Sequence, residues 1–121
     1  HMHFRGSRML LEAIHADGRR QLLTDVPRYE QVWQLTYTYE EPHLFPAGTI
    51  LHSVAWHDNT VANKHNPDPS AWIGWGSRTM DDMGNAWTDI AFMTEEQYQV
   101  RLKDKLARLA NPERAKTNEG Q

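Results

Sequence analysis

Asp17-Gly18 restricts the fold of this chain more than any other feature, because it stands between two runs that read as extended. Met9, Leu10, Leu11 and Ile14 supply apolar bulk before it, and Arg19 to Asp25 follows it. Glycine accepts positive φ without penalty, so Asp-Gly at such a junction specifies a tight antiparallel hairpin. The spacing predicts one strand over His1 to His15 and a second over Arg19 to Asp25, ended by Pro27.

Downstream the pattern stays extended. Gln31 to Glu40 alternates, with Trp33, Leu35, Tyr37 and Tyr39 on one face and Gln34, Thr36, Thr38 and Glu40 on the other. That is the pattern of a half-buried antiparallel strand. Pro42 and Pro46-Ala47-Gly48 make a loop, and Thr49 to His57 is extended again, with Ile50, His52, Val54 and Trp56 sharing a face. Three Asn, two Asp and two Pro mark Asp58 to Ser70 as a loop. Its oxygen-rich side chains are expected to cap Asx turns, with Ca²⁺ binding the less common alternative. Ala71 to Trp75 and Ala86 to Met93 are predicted as further strands.

At Thr94 the character changes. Thr94-Glu95-Glu96-Gln97 is a capping box, and Tyr98, Leu102, Leu106 and Leu109 fall on one helical face. Asn111-Pro112 stops the helix, and the polar tail to Gln121 is expected to fray. The expected organisation is a β domain over 1–93, a helix over 94–111 packed on it, and a tail over 112–121.

Composition narrows the function classes. A chain of 121 residues is long enough for one core, and its 39% hydrophobic and 24% charged residues suit a folded protein. Net charge is −3 with no basic run, which argues against nucleic acid as a partner. No apolar segment approaches the ~18 residues that suggest a membrane span. Cysteine is absent, so disulfides, thiolate metal sites and cysteine nucleophiles are excluded.

Two places remain that could carry chemistry. Met83 lies between Asp82 and Gly84 at the mouth of an apolar run, where a core methionine would have apolar neighbours. It reads either as a partly buried packing residue or as a soft ligand. At the other end of the chain His1 and His3 alternate on an extended backbone, so they can present two imidazoles to one ion. Two imidazoles and a thioether suit copper cycling between Cu(I) and Cu(II), whereas zinc more often takes a carboxylate or another imidazole. His1-Met2 is also the dipeptide that tag removal leaves behind. Of the other histidines, His52, on an apolar strand face, is expected to be a hydrogen-bonded core histidine, and His57 and His65 flank the Asx-rich loop. Asp81 and Asp82 could orient a ligand histidine, and Arg5 and Arg78 could balance these acids or steer a carboxylate.

These residues also form a recognisable set. His-x-His followed by Arg5-Gly6, and far downstream Asp81-Asp82-Met83-Gly84-Asn85, resemble the second catalytic domain of copper type II, ascorbate-dependent monooxygenases. That family includes peptidylglycine alpha-hydroxylating and dopamine beta-monooxygenases. Asp25-Val26-Pro27-x-Tyr29, Trp33-Gln34, Pro46-x-Gly48-Thr49, Asp58-Asn59-Thr60, Asn66-Pro67-Asp68-Pro69 and Trp75-Gly76 are similar to its bacterial branch. The resemblance runs from His1 to Phe92. It implies an all-β antiparallel sandwich of jelly-roll type with one C-terminal helix, and copper on His1, His3 and Met83. It also implies O2- and reductant-dependent hydroxylation of a C–H bond in a small-molecule or peptide substrate, with ascorbate or another reductant. The family's earlier strands, and its separate three-histidine copper domain, would come from a partner chain or a further domain. A periplasmic or extracellular setting is implied as well. If His1 were a mature terminus, its amine could join the copper ligands. Two other readings stay open: a non-catalytic copper-binding or assembly β-sandwich domain, and a carbohydrate-binding jelly roll exposing Trp56, Trp72 or Trp75.

Overall fold

A computed structural model describes residues 1–111. The chain forms strands β1 (Gly6–Ile14), β2 (Arg20–Val26) and β3 (Ile50–His57), then helix α1 (Glu95–Ala110). The three strands make one antiparallel sheet in the order β2-β1-β3. Gly18 takes a φ of +82° in the β1–β2 turn, and Asp17 Oδ1 accepts from the Arg19 amide at 3.0 Å, as Asp-Gly predicts. Register slips between Leu11 and Glu12 against β2, and between Gly6 and Arg8 against β3. On β3, His52 faces Glu12 across the ladder, its Nδ1 2.8 Å from a carboxylate oxygen that also accepts from Arg20. The hydrogen bond is as expected, but at 43% exposure the side chain lies outside the core.

The long first strand needs correcting. The chain turns at Phe4 and Arg5, where the Gly6 amide donates to the His3 carbonyl at 2.9 Å. His1 to His3 therefore lie outside β1. Met2 instead forms an isolated antiparallel bridge with Gly84. The predicted strands at 31–40, 71–75 and 86–93 do not form either; only Trp75 makes a bridge, with Asp82. Alternation equips a segment to lie on a core, but a ladder needs a neighbouring edge and something to cover the apolar face. Among the described residues neither is supplied, and Trp33 stays 66% exposed.

The core is small. Met2, Met9 and Ala13 are the buried apolar residues, joined by buried His3 and Arg5. Two compact units are distinguished: His1–Thr38 with Ala47–Thr88, and Tyr39–Pro46 with the segment from Asp89 through α1. In the second unit, α1 carries the expected capping box on Thr94 and Gln97, and Lys105 and Arg108 pair with Glu41. No residue of α1 is buried; Tyr98 and Leu102 of the stripe are half-buried, whereas Leu106 is 57% and Leu109 68% exposed. Among the described residues no helix is long and apolar enough to cross a membrane. The tail expected over 112–121 lies outside the described residues.

Candidate metal centre

The bridge between Met2 and Gly84 organises the site. His1 and Asn85 exchange both backbone hydrogen bonds at 2.8 Å, fixing the antiparallel register on one side of the bridge. Continued one residue the other way, that register sets His3 across from Met83. Side chains alternate about a bridge, so His1, His3, Met83 and Asn85 leave one face, and Met2 and Gly84 the other. Met2 is fully buried on the inner face. Gly84 has to be glycine, because a Cβ there would lie 2.7 Å from the Ala55 Cβ of β3.

Met2 is held from its other edge by Tyr29, whose hydroxyl accepts from the Met2 amide at 2.8 Å and donates to its carbonyl at 2.6 Å. Burial pushes the Tyr29 phenol above its usual range, so it keeps the proton it donates. The peptide between the two histidines is thus clamped at both polar atoms.

The ring partners then fix the tautomers. His3 Nδ1 lies 3.0 Å from the Asp81 carbonyl oxygen. A carbonyl only accepts, so Nδ1 carries a hydrogen, and in the neutral ring Nε2 keeps its lone pair. His1 Nδ1 meets Gln34 Oε1, and the Gln34 amide is oriented by its own donation to the Gln31 carbonyl at 2.7 Å. His1 Nε2 is left with a lone pair by the same logic. The two ring centroids are 5.1 Å apart, edge to face. Two imidazoles sharing one ion through Nε2 at ~2.0–2.1 Å would place their centroids roughly 5 Å apart. This donor arrangement fits an imidazole-bound metal, with the second ring nitrogen of each histidine engaged by an amide or carbonyl oxygen. Trp87 stacks on the outer face of His1 at 5.4 Å and 10° while remaining 82% exposed.

The segment that carries Met83 is tethered through its carbonyls. Met80 O accepts from Arg5 Nη1 at 2.6 Å, Asp81 O from His3, Asp82 O from the Gly76 amide at 3.1 Å, and Met83 O from His57 Nε2 at 3.1 Å. Arg5 is 1% exposed, donates through Nε to Asn66 Oδ1 at 2.9 Å, and lies 3.9 Å from Asp82. It balances an acid and ties the Asx-rich loop to the Met83 segment. Asp81 orients His3 through its backbone; its carboxylate takes Arg78 and is held below the usual range chiefly by that hydrogen bond.

The loop over 58–70 caps itself, as expected. Asp58 accepts from Thr60, Asn63 from His65, and Asp68 from Ser70. His57 and His65 go to separate partners, Met83 O and Glu30. Among the described residues no three His, Cys, Asp or Glu side chains are grouped to hold a metal ion. Residue types alone pointed to His1, His3 and Met83, and missed Gln34, His57 and Trp87. Gln34 entered only as part of the Trp33-Gln34 match and as the polar side of a strand that does not form, neither of which marks it as a partner of His1. No family model matches this chain, and neither does any curated protein or solved structure.

Proposed function

We propose that this chain is the copper-binding domain of a monooxygenase resembling the copper type II, ascorbate-dependent family, with His1, His3 and Met83 as ligands to a mononuclear copper. The observation that supports this most is a matched pair of ring contacts: both Nδ1 atoms meet an oxygen acceptor, so the two neighbouring imidazoles, when neutral, both offer Nε2. An ordinary edge-to-face histidine pair has no need of that match. The bridge register adds Met83 opposite His3 on the same face. Two imidazoles and a thioether suit an ion that changes oxidation state, the thioether favouring Cu(I). When bound, copper supplies the redox chemistry by which O2 attacks a substrate C–H bond.

The chain's own residues position and shield. Gln34 and the Asp81 carbonyl hold the ring nitrogens away from the metal, Tyr29 clamps the intervening peptide, and Trp87 covers one face of His1. In this reading the sheet is one layer of a jelly-roll sandwich. A partner chain or further domain supplies the second layer, along with the electron-supplying copper and its ascorbate or other reductant. The exposed row at Trp33, Leu35 and Tyr37 supports a missing layer. That same incompleteness favours a second reading, a non-catalytic copper-binding or assembly domain. The carbohydrate reading loses one of its platforms, because Arg8 lies over the Trp56 ring at 4.8 Å.

Copper loading followed by metal analysis, then oxygen uptake with ascorbate and a second copper domain, tests the proposal. One copper per chain with uptake supports the enzyme. One copper without uptake supports the second reading, and failure to hold copper overturns both.

A further inference from the structure

The segment that bears Met83 belongs to no strand, so something must hold its peptide if the thioether is to aim at a metal. Among the described residues two tethers act at the methionine itself: the bridge beside it, and His57 at the C-terminal end of β3. We propose that His57 is a positioning residue for the thioether, fixing the Met83 peptide by donating its Nε2 hydrogen to the Met83 carbonyl at 3.1 Å. The inference rests on the copper reading above and adds a residue to it.

The chemistry of the contact is one-directional. The carbonyl can only accept, so His57 carries its hydrogen on Nε2, the reverse of the tautomer at His1 and His3. His57 is therefore set up as a donor to backbone through Nε2. Its own backbone is fixed by pairing with Gly6 in the ladder. Gly84 lies against Ala55 two residues before it, so the Met83 segment rests on the end of β3 at both contacts. A side chain springing from a pinned peptide has fewer orientations to lose when it binds a metal.

The effect should be confined to the soft ligand. Tyr29, Gln34 and the Asp81 carbonyl hold the two imidazoles without help from His57. Cu(II) affinity rests mainly on those imidazoles, and Cu(I) affinity needs the thioether as well.

The test compares His57→Phe, which removes the donor, with His57→Gln, whose amide reaches a similar place and keeps it. Met83→Ile serves as reference. Two readings are taken on the whole chain: the Met83 methyl resonance without metal, and Cu(I) and Cu(II) affinities by chelator competition. In His57→Phe the methyl resonance should broaden or shift. Cu(I) affinity should fall about tenfold, within the range for losing a partner behind a metal ligand. Cu(II) affinity should change less than about twofold. His57→Gln should restore both readings. Should His57→Phe not fold, His57→Asn replaces it, its amide being too short to reach the carbonyl. An unchanged methyl resonance overturns the inference, as do equal losses of both ions or no rescue by glutamine. If Met83→Ile itself leaves Cu(I) affinity unaltered, the copper reading has failed and the role of His57 in it falls too.

Discussion

The Nδ1 of His3 lies 3.0 Å from the carbonyl oxygen of Asp81, 78 positions along the chain. This contact couples the two halves of the candidate site. The ring of His3 is oriented by the segment that carries Met83, the proposed third ligand. Displacing Asp81, which Arg78 anchors apart from Met83, would disturb His3, and losing His3 removes a tether from Asp81.

Tyr29 makes both of its hydrogen bonds to the peptide between the two histidines. Tyr29→Phe leaves a buried amide and carbonyl without their partner and should cost on the order of 1–3 kcal/mol. Cu(I) and Cu(II) affinities should fall together, unlike the split expected at His57. Isothermal denaturation with parallel copper titrations would check both, and a loss confined to one oxidation state would count against the clamp.

Arg5 is almost fully buried and spans two loops through separate nitrogens. Lysine keeps the charge but cannot reach both acceptors with a fork. Arg5→Lys should lower stability by on the order of 2–4 kcal/mol, since buried acceptors lose their donor. A urea midpoint equal to that of the unsubstituted chain would show that the loops hold without it.

The loop caps should be sensitive to acid. Asp58 is held below the ordinary carboxylate range chiefly by the Thr60 hydroxyl, and Asp68 by the Ser70 hydroxyl. A carboxyl lowered in the folded state adds stability above its unfolded pKa of about 3.9, and loses it as pH falls through the lower folded value. Thr60 and Ser70 amides should therefore stay protected down to about pH 4 and lose protection only below it. Titration by NMR would read this directly; loss of protection near neutrality would contradict it.

β2 and β3 form the two edges of the sheet, and Trp33, Leu35 and Tyr37 are exposed beside it. Open edges and uncovered apolar rows pair with other chains. Sedimentation velocity should show concentration-dependent self-association of the isolated chain, relieved when its natural partner is added. A monomer at every concentration would mean that these edges are protected.

Local chemistry was the legible part of the sequence. Asp17-Gly18 announced the hairpin, Thr94 and Gln97 announced the helix start, and β2 and β3 fall within a residue of their expected bounds. These signals act over a few residues, so sequence order carries them. The row from Trp33 to Tyr37 shows the limit, because alternation records a capacity to be covered and not the presence of a cover. At the site, His1, His3 and Met83 could be picked out by residue type. Their supports could not, because the groups that hold His3 and Met83 are a backbone carbonyl and a histidine remote in sequence. No residue type encodes a carbonyl. Leu106 teaches the same lesson: at 57% exposure, its truncation to alanine should cost well under the ~2–4 kcal/mol of a buried leucine.

The central claim is that one copper ion is held by His1, His3 and Met83. X-ray absorption at the copper edge of the Cu(I)-loaded chain, compared with Met83→Ile, tests it most directly. Isoleucine conserves apolar bulk, so folding should change by less than ~1.5 kcal/mol. The account predicts two imidazoles and one sulfur around Cu(I), with the sulfur lost and Cu(I) affinity sharply reduced in Met83→Ile while Cu(II) binding persists. A Cu(I) spectrum without sulfur, or one that is the same in Met83→Ile, would contradict it.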